Sequence, residues 1–365
     1  MLIKIPLKRP FYFTGIIMLL IVLFGFSKNL FAQESMEAYF KKIEEAKAKL
    51  NLYYGEPFIK YEYLFLDNEG LNKPKGVRYN PVTNEIVVLD AGNMCIYIFS
   101  YDGKFKKKIG RPGQGPGEFM RLYSLTIDYK GNIYVKDLGR IQEFSKEGKL
   151  IKTIRIHPSW IYPNFSISAD DEIIINNPGD TCYISVLNQS GVLVKKIGKI
   201  DRKNKDERIT MMASQGIAFK GLNKRYYVVL FRINEIHIYA EDGTLYKKVN
   251  YFNAIERPLP KDIRNIQVES DKFVISYTLT DVVCTNDAIF LLINIPNGYG
   301  PEKLFTFNYE FERIGVYEFG VDVRKYFGPN LPSENFIGLV NKDNTIEMFL
   351  PYINSAEVIK YTFKK

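Results

Sequence analysis

The sequence predicts an all-β fold, a six-bladed β-propeller closed by an N-terminal strand and preceded by a signal or anchor segment and a short helix. Three observations predict it. From about Pro57 onward the chain reads as short strands between turns, whose segments alternate or run apolar for four to seven residues in place of a helical repeat. The same order of strands returns several times, and the turn glycines Gly103, Gly148, Gly191 and Gly243 stand 45, 43 and 52 residues apart, the period of four-stranded propeller blades. The chain also holds 26 Tyr and 26 Phe among its 365 residues, types that favour pleated, half-buried surfaces.

The first 32 residues form the first element. Lys4, Lys8 and Arg9 precede the uncharged apolar run Phe11–Phe26, and Leu30-Phe31-Ala32 follows before Gln33. A positive start, an apolar stretch and a small residue at a cleavage point are the parts of a secretory signal. As a helix the run spans roughly 24 Å, short of the roughly 30 Å hydrocarbon core. A cleaved signal is therefore expected, with an uncleaved anchor through residues 11–26 as the alternative. No cysteine lies near the cleavage point to take a lipid. Either form places the rest of the chain across a membrane, in the periplasm or outside. Residues 34–50 follow as an amphipathic helix, with Met36, Tyr39, Phe40, Ile43 and Ala46 at helical spacing.

The repeats begin with Gly76–Asn80, Glu85–Asp90, Cys95–Ser100 and Lys104–Gly110. Three more copies follow: Tyr123–Asp128, Asn132–Asp137, Arg140–Ser145 and Lys149–Ile154; Phe165–Ala169, Glu172–Asn176, Tyr183–Leu187 and Val192–Ile197; and Gly216–Phe219, Tyr226–Phe231, Ile236–Tyr239 and Thr244–Val249. Asp-Gly, Glu-Gly and Ser-Gly dipeptides mark hairpins, because glycine accepts the positive φ that such turns require. A fifth, degenerate unit offers Phe273–Tyr277, Ala288–Ile295, Leu304–Asn308 and Arg313–Phe319, with an insertion at residues 296–301. The last offers only Ile337–Asn341, Thr345–Leu350 and Glu357–Phe363. Phe58–Leu66 has no unit of its own. Pairing it into the last blade closes the ring and removes an open edge. Six blades result, with five and seven the nearest alternatives.

The run Gly110-Arg111-Pro112-Gly113-Gln114-Gly115-Pro116-Gly117-Glu118-Phe119, continued by Ile127-Asp128, Gly131–Asp137 and Arg140–Ser145, resembles one NHL repeat. Leu89-Asp90-Ala91-Gly92-Asn93 repeats part of it one blade earlier, while Asn176 and Arg232 stand near where the pattern has Asp. The combination is similar to the exported six-bladed propellers of bacteria. The resemblance implies structural roles for Asp90, Asp137 and Arg140, tying strand ends within and between blades.

Little in the chain points to catalysis. The glycine-rich run lacks the Lys-Ser or Lys-Thr and the following helix of a phosphate loop, so it reads as an interblade turn. Only His157 and His237 are present, few for zinc, which needs three or four ligands. No G-x-S-x-G turn occurs. The carboxylate groups Asp170-Asp171-Glu172, Asp206-Glu207 and Glu241-Asp242 fall largely at turns. Cys95, Cys182 and Cys284 read as three small buried hydrophobes, with one disulfide and one free thiol as the alternative. The net charge is +9, and four of the positive charges lie in residues 1–32. Lysines cluster at 104 and 106–108, at 195–196 and at 247–248, on outermost strands, where they oppose edge-to-edge association. A further group is Arg202, Lys203 and Lys205.

The expected function is thus that of an exported, non-catalytic binding or scaffold propeller engaging a protein, peptide or glycan. It is expected to be a monomer without cofactor or resident metal, with no nucleic-acid partner and no membrane contact beyond an uncleaved N-terminal segment. The alternative is a calcium-dependent lactonase or esterase-like hydrolase, or a lyase, using the central channel. In that case carboxylates and amides from several blades converge there.

Overall fold

In the computed structural model of the chain the described residues are 60–64, 70–157, 164–200, 207–231, 233, 235–250, 278–294, 303–318, 337–352 and 357–364. The expected signal and the helix over 34–50 lie outside them, as do the strand Phe273–Tyr277, the insertion at 296–301, Arg232 and the basic group at 202–205.

Among the described residues, twenty-four strands form six four-stranded antiparallel sheets. Blade 1 holds β2 (Pro74–Asn80), β3 (Glu85–Asp90), β4 (Cys95–Ser100) and β5 (Phe105–Ile109). Blade 2 holds β6 (Ser124–Ile127), β7 (Ile133–Asp137), β8 (Arg140–Phe144) and β9 (Leu150–Arg155). Blade 3 holds β10 (Phe165–Ile167), β11 (Ile173–Asn176), β12 (Cys182–Leu187) and β13 (Leu193–Lys199). A short helix, α1 (Glu207–Ala213), leads to blade 4: β14 (Gly216–Lys220), β15 (Tyr226–Leu230), β16 (Glu235–Tyr239) and β17 (Leu245–Asn250). Blade 5 holds β18 (Thr278–Cys284), β19 (Ile289–Asn294), β20 (Lys303–Phe307) and β21 (Arg313–Glu318). Blade 6 holds β22 (Gly338–Asn341), β23 (Thr345–Tyr352) and β24 (Glu357–Lys364), and its fourth strand is β1 (Lys60–Leu64), paired antiparallel to β24 with Tyr63 opposite Ile359.

Burial explains the composition of each strand. The second strands β3, β7, β11 and β15 are buried at every position, because each is covered on both faces by neighbouring blades. Their central residues therefore read as apolar runs, where a half-buried strand would alternate, with charged residues mainly toward their ends. Of the fourth strands, β5 and β9 expose every second residue along most of their length, and β17 is exposed at all but one position. The third and fourth strands of five blades meet through a register shift at the hairpin, the three-residue turn closed by a residue in the left-handed region. Glycine fills that position in blades 1 to 4. In blade 5 it is Phe311, at φ 59°, with its ring buried against Phe307 and Tyr227.

The apolar residues sort into six clusters, one at each blade interface. Val87, Leu89 and Ile98 meet Phe119, Ile133 and Val135 between blades 1 and 2. Tyr134 and Ile154 meet Ile173 and Ile175 between blades 2 and 3, and Ile174 and Val186 meet Tyr226 and Val228 between blades 3 and 4. Val229 and Ile238 meet Leu291 and Phe307 between blades 4 and 5, and Phe290 and Leu304 meet Met348 and Tyr361 between blades 5 and 6. The sixth cluster closes the circle: Val77, Val88 and Phe99 of blade 1 pack on Val340, Phe349 and Val358 of blade 6. Each fully buried side chain of this size contributes roughly 1.5–3 kcal/mol.

One buried ion pair also spans the closure. Arg78 on β2 donates to Asp281 on β18 at 2.8 Å and to the carbonyl of Ile337, which leads into β22. Asp281 is 2% exposed and also accepts the Ile337 N–H at 2.8 Å. Blades 1, 5 and 6 are thereby joined through one carboxylate. Replacing Arg78 by Met strands that buried charge, and removing one partner of such a pair costs about 3 kcal/mol. Urea denaturation of R78M is expected to show this loss; an unchanged midpoint would show that the pair is not needed for closure.

Candidate functional site

In this strand order the inner strands all begin at one end of the ring. That end, termed the upper end, gathers the loops entering each blade and the turns between second and third strands. The lower end gathers the turns between first and second and between third and fourth strands.

The glycine-rich run enters blade 2 at the upper end, and the N–H groups of three of its glycines are bonded within the chain. Gly115 N–H donates to Glu118 Oε2 at 2.9 Å, Gly117 N–H to Gln142 Oε1 at 2.8 Å and Gly113 N–H to the Phe119 carbonyl at 3.0 Å. A Cβ on Gly113 would lie 2.1 Å from Glu118 Oε2, so the chain's own carboxylate occupies the concavity that a phosphate would need. Arg140 grips the same loop through the carbonyls of Gln114 at 2.7 Å and Glu118 at 2.9 Å, and Gln142 Nε2 reaches Glu118 at 2.8 Å.

Asp137, fully buried, ends β7 beneath this loop. Its Oδ1 accepts the N–H groups of Met120 and Arg121 at 3.1 and 2.8 Å, and its Oδ2 accepts Arg140 Nε and Nη2 at 3.0 and 2.9 Å. Asp90 ends β3 in the same way, accepting Asn72 N–H at 2.6 Å and the N–H groups of Gly92 and Asn93 at 3.0 Å each. Burial raises the carboxyl pKa of Asp90 against these stabilising donors. Both side chains hold the loop entering their own blade. Asn176 ends β11 but does otherwise: its Oδ1 accepts Gly216 N–H at 2.8 Å and its Nδ2 donates to Ser214 at 3.1 Å, both at the start of blade 4. Ile174, two residues earlier, faces blade 4, whereas Ile133 and Val135 before Asp137 face blade 1. Asn176 is therefore on the opposite face from Asp137, as a one-residue offset in a period of two requires.

These bonds bring the loop residues Met120, Arg121 and Tyr123 beside the turn residue Leu138. Met120 and Leu138 are 44% and 49% exposed. The Arg121 guanidinium lies over the Tyr123 ring at 5.1 Å and makes no ion pair among the described residues. Lys75, on β2, reaches the Leu122 carbonyl at 3.5 Å, which places blade 1 cations next to the blade 2 loop. Tyr123 N–H bonds the carbonyl of Lys136 at 3.0 Å, and the Lys136 side chain is 1% exposed. Desolvation pulls its ammonium pKa down to about 7. No spacing in the sequence marks Lys136, since it lies inside a strand motif that reads as structural.

The remaining sequence candidates disperse. His237 is a buried strand residue on β16, with its Nε2 2.7 Å from Glu235, and His157 is exposed. Asp170 and Glu172 bind the buried Lys220 of the next blade at 2.7 and 3.1 Å, and Asp171 binds Lys130. Glu241 approaches Lys220 at 3.6 Å, and Glu207 opens α1. The three cysteines are free thiols. Cys95 and Cys182 are buried, and desolvation pushes the Cys95 thiol up to about 11. Cys284 is exposed, unlike the buried placement expected of it, because it ends β18 at a turn. Among the described residues no group of three or more His, Cys, Asp and Glu side chains is placed to hold a metal ion, and no helix is long and apolar enough to cross a membrane.

Six closed sheets around one axis define the chain as a six-bladed β-propeller, and comparison with known proteins agrees. Residues 67–170 match the family model described as a 6-bladed beta-propeller, DUF5128. No curated protein matches the sequence. Among solved structures, the chain is similar to a protein from Bacteroides fragilis described as exported, with TM-score 0.53, 14% identity and coverage of 84% of this chain and 94% of that one. It is also similar to a member of the DUF4221 family from Bacteroides vulgatus, with TM-score 0.50, 13% identity and coverage of 84% and 98%. A catalytically inactive virginiamycin B lyase from Staphylococcus aureus, solved with quinupristin, gives TM-score 0.50, 14% identity and coverage of 83% and 99%. At these identities the likeness is one of fold.

Two outcomes follow for this end of the ring. Asp137→Ala leaves two loop N–H groups and Arg140 without their acceptor, and is expected to cost about 2–3 kcal/mol in urea denaturation, with increased proteolysis within residues 110–121. Lys136 takes up a proton less readily in the folded chain than the ordinary lysine value allows, so unfolding takes up protons between about pH 7 and 10. Stability is accordingly expected to rise with pH across that window by a few kcal/mol. In Lys136→Met that rise should vanish, as read by denaturant midpoints at pH 7, 8.5 and 10; an equal slope in both proteins would refute it.

Proposed function

We propose that the chain is an exported, non-catalytic binding propeller that presents the upper end of blades 1 and 2 to a protein, peptide or glycan. The observation that supports this most is the direction in which the polar groups of that end point. Asp90 and Asp137 are buried and hold donors of neighbouring loops and of Arg140, and Glu118, at the surface, is engaged by Gly115 and Arg111, so each carboxylate is already bonded within the chain. What faces solvent is Met120, Leu138 and an arginine stacked on an aromatic ring, residue types that serve recognition rather than bond-making. Function belongs to this site and not to the fold, since propellers of one architecture host unrelated activities.

Export is supported by the N-terminal pattern of residues 1–32 and agrees with the description of the Bacteroides fragilis protein of similar fold. Intact-mass measurement of the mature protein is expected to place its first residue at Gln33; finding residues 1–32 retained would favour a form tethered through residues 11–26. Metal analysis of the same material separates binding from catalysis. Calcium and zinc are expected below one ion per chain, and a full equivalent of calcium would overturn the non-catalytic reading in favour of a calcium-dependent hydrolase.

A further inference from the structure

The six turns between first and second strands stand innermost at the lower end, and together they frame the lower mouth of the channel along the ring axis. All six are described. Blade 2 contributes Tyr129 there, 48% exposed. The order of the interface clusters places blade 5 three positions further round, directly across the axis. Its inner strand β18 ends at the same mouth with Cys284.

Cys284 combines two properties that ordinarily exclude each other. It is open to solvent, yet loss of hydration pushes its thiol pKa up, and the Asp281 carboxylate adds to the effect. A side chain that water reaches while protein surrounds it lies in a narrow opening. Across that opening the pKa of the Tyr129 hydroxyl is raised, by burial first and by the charge of Cys284 second. The Tyr309 hydroxyl of blade 5 is raised by burial, then by Cys284 and Tyr129. Groups on opposite blades influence one another in this way only if Tyr129 extends inward over the mouth.

The two sides of the opening are held differently. On blade 5 the Tyr309 hydroxyl donates to the Thr285 carbonyl, and the Tyr309 carbonyl accepts the Tyr227 hydroxyl at 2.9 Å. That ring is fixed at both ends. On blade 2 it is the backbone that is fixed. Asp128 accepts the N–H groups of Lys130 and Asn132 at 2.9 and 2.8 Å, the Gly131 carbonyl accepts Asn80 at 2.9 Å, and Lys130 pairs with Asp171 at 2.6 Å. The Tyr129 hydroxyl makes no hydrogen bond among the described residues. An anchored turn thus carries an unlatched ring, and a half-exposed ring changes rotamer on the fast timescale of surface side chains.

From this we infer that Tyr129 is a lid on the lower mouth of the axial channel: its ring covers Cys284 of the opposite blade, and a change of rotamer uncovers it. A larger solute then enters the channel from the upper end. The inference stands apart from the choice of the upper end as the binding face and adds a direction of access to it.

Cys284 is the reporter for the test, since Cys95 and Cys182 are buried. The full chain is treated with N-ethylmaleimide and, separately, with a polyethylene-glycol maleimide, and each cysteine is followed by peptide mass mapping. Cys284 of the wild type is expected to react slowly with the first reagent and more slowly with the second. Because thiol reactivity follows access, Tyr129→Ala is expected to speed both reactions about fivefold or more and to narrow the gap between them. Tyr129→Phe keeps the ring and should react as the wild type does, while Tyr129→Trp should react more slowly. Equal rates in Tyr129→Ala and the wild type would overturn the inference, as would a wild-type rate matching that of the urea-unfolded chain. If Tyr129→Ala also exposes Cys95 or Cys182, and so has loosened as a whole, Tyr129→Trp decides: a slower reaction at Cys284 supports the lid, and an unchanged rate overturns it.

Discussion

Mutual burial of the sheets is the constraint on which everything else depends. No blade shields its own second and third strands; β3 and β15 are buried at every position only because blades stand on both sides of each. An open row of such sheets leaves two apolar faces in water, so the chain is stable in this form only if blade 6 reaches blade 1. Three devices meet at that junction: the Val77–Phe349 cluster, the pairing of β1 with β24, and Arg78, which crosses from blade 1 to Asp281 of blade 5 while holding the carbonyl of Ile337.

The lower end serves the same closure. Asn80 donates to the carbonyl of Gly131 at 2.9 Å, Lys130 pairs with Asp171 at 2.6 Å and Lys220 with Asp170 at 2.7 Å. The circle continues through Arg225 to Glu310 at 2.6 Å, Asn341 to Asp287 at 2.9 Å and Lys342 to the Tyr101 hydroxyl at 2.9 Å. Every junction from blade 1 round to blade 1 again is thus spanned by a polar link between turns. Single exposed ion pairs contribute little; here most of them sit on turns already fixed by hairpin bonds, so less entropy is lost in making them.

The fold was legible in the sequence wherever glycine marked the hairpins. Blades 1 to 4 have Gly103, Gly148, Gly191 and Gly243 in the left-handed position, and their strands fall within a few residues of the expected ones. Blade 5 was not legible to the same degree, because Phe311 takes that position and exchanges the backbone signal for a core contact. Its described first strand is Thr278–Cys284, a run whose Thr and Asp residues mask its pattern. The helix α1, at seven residues, is too short for a helical period to show. Asp137 and Arg140 could be found from the local motif because both ends of their interaction lie within one blade. Arg78 and Asp281 could not, being 203 residues apart, and Asn176, which departs from the motif in sequence, also has its side chain on the other face of its strand.

Lys136 departs from the rule that organises the rest of the ring. Leu89 immediately precedes Asp90 as Lys136 precedes Asp137, and both positions face the following blade; Leu89 is a fully buried apolar residue there. An ammonium in that setting loses hydration, which is why its proton affinity falls, and the cost is carried by the fold. Local choices that oppose the global pattern concentrate where a protein does something besides fold. Lys136 is bonded through its backbone to Tyr123, the ring on which Arg121 rests. The buried ammonium and the Arg121–Tyr123 stack thus lie within one blade, joined by a single backbone hydrogen bond.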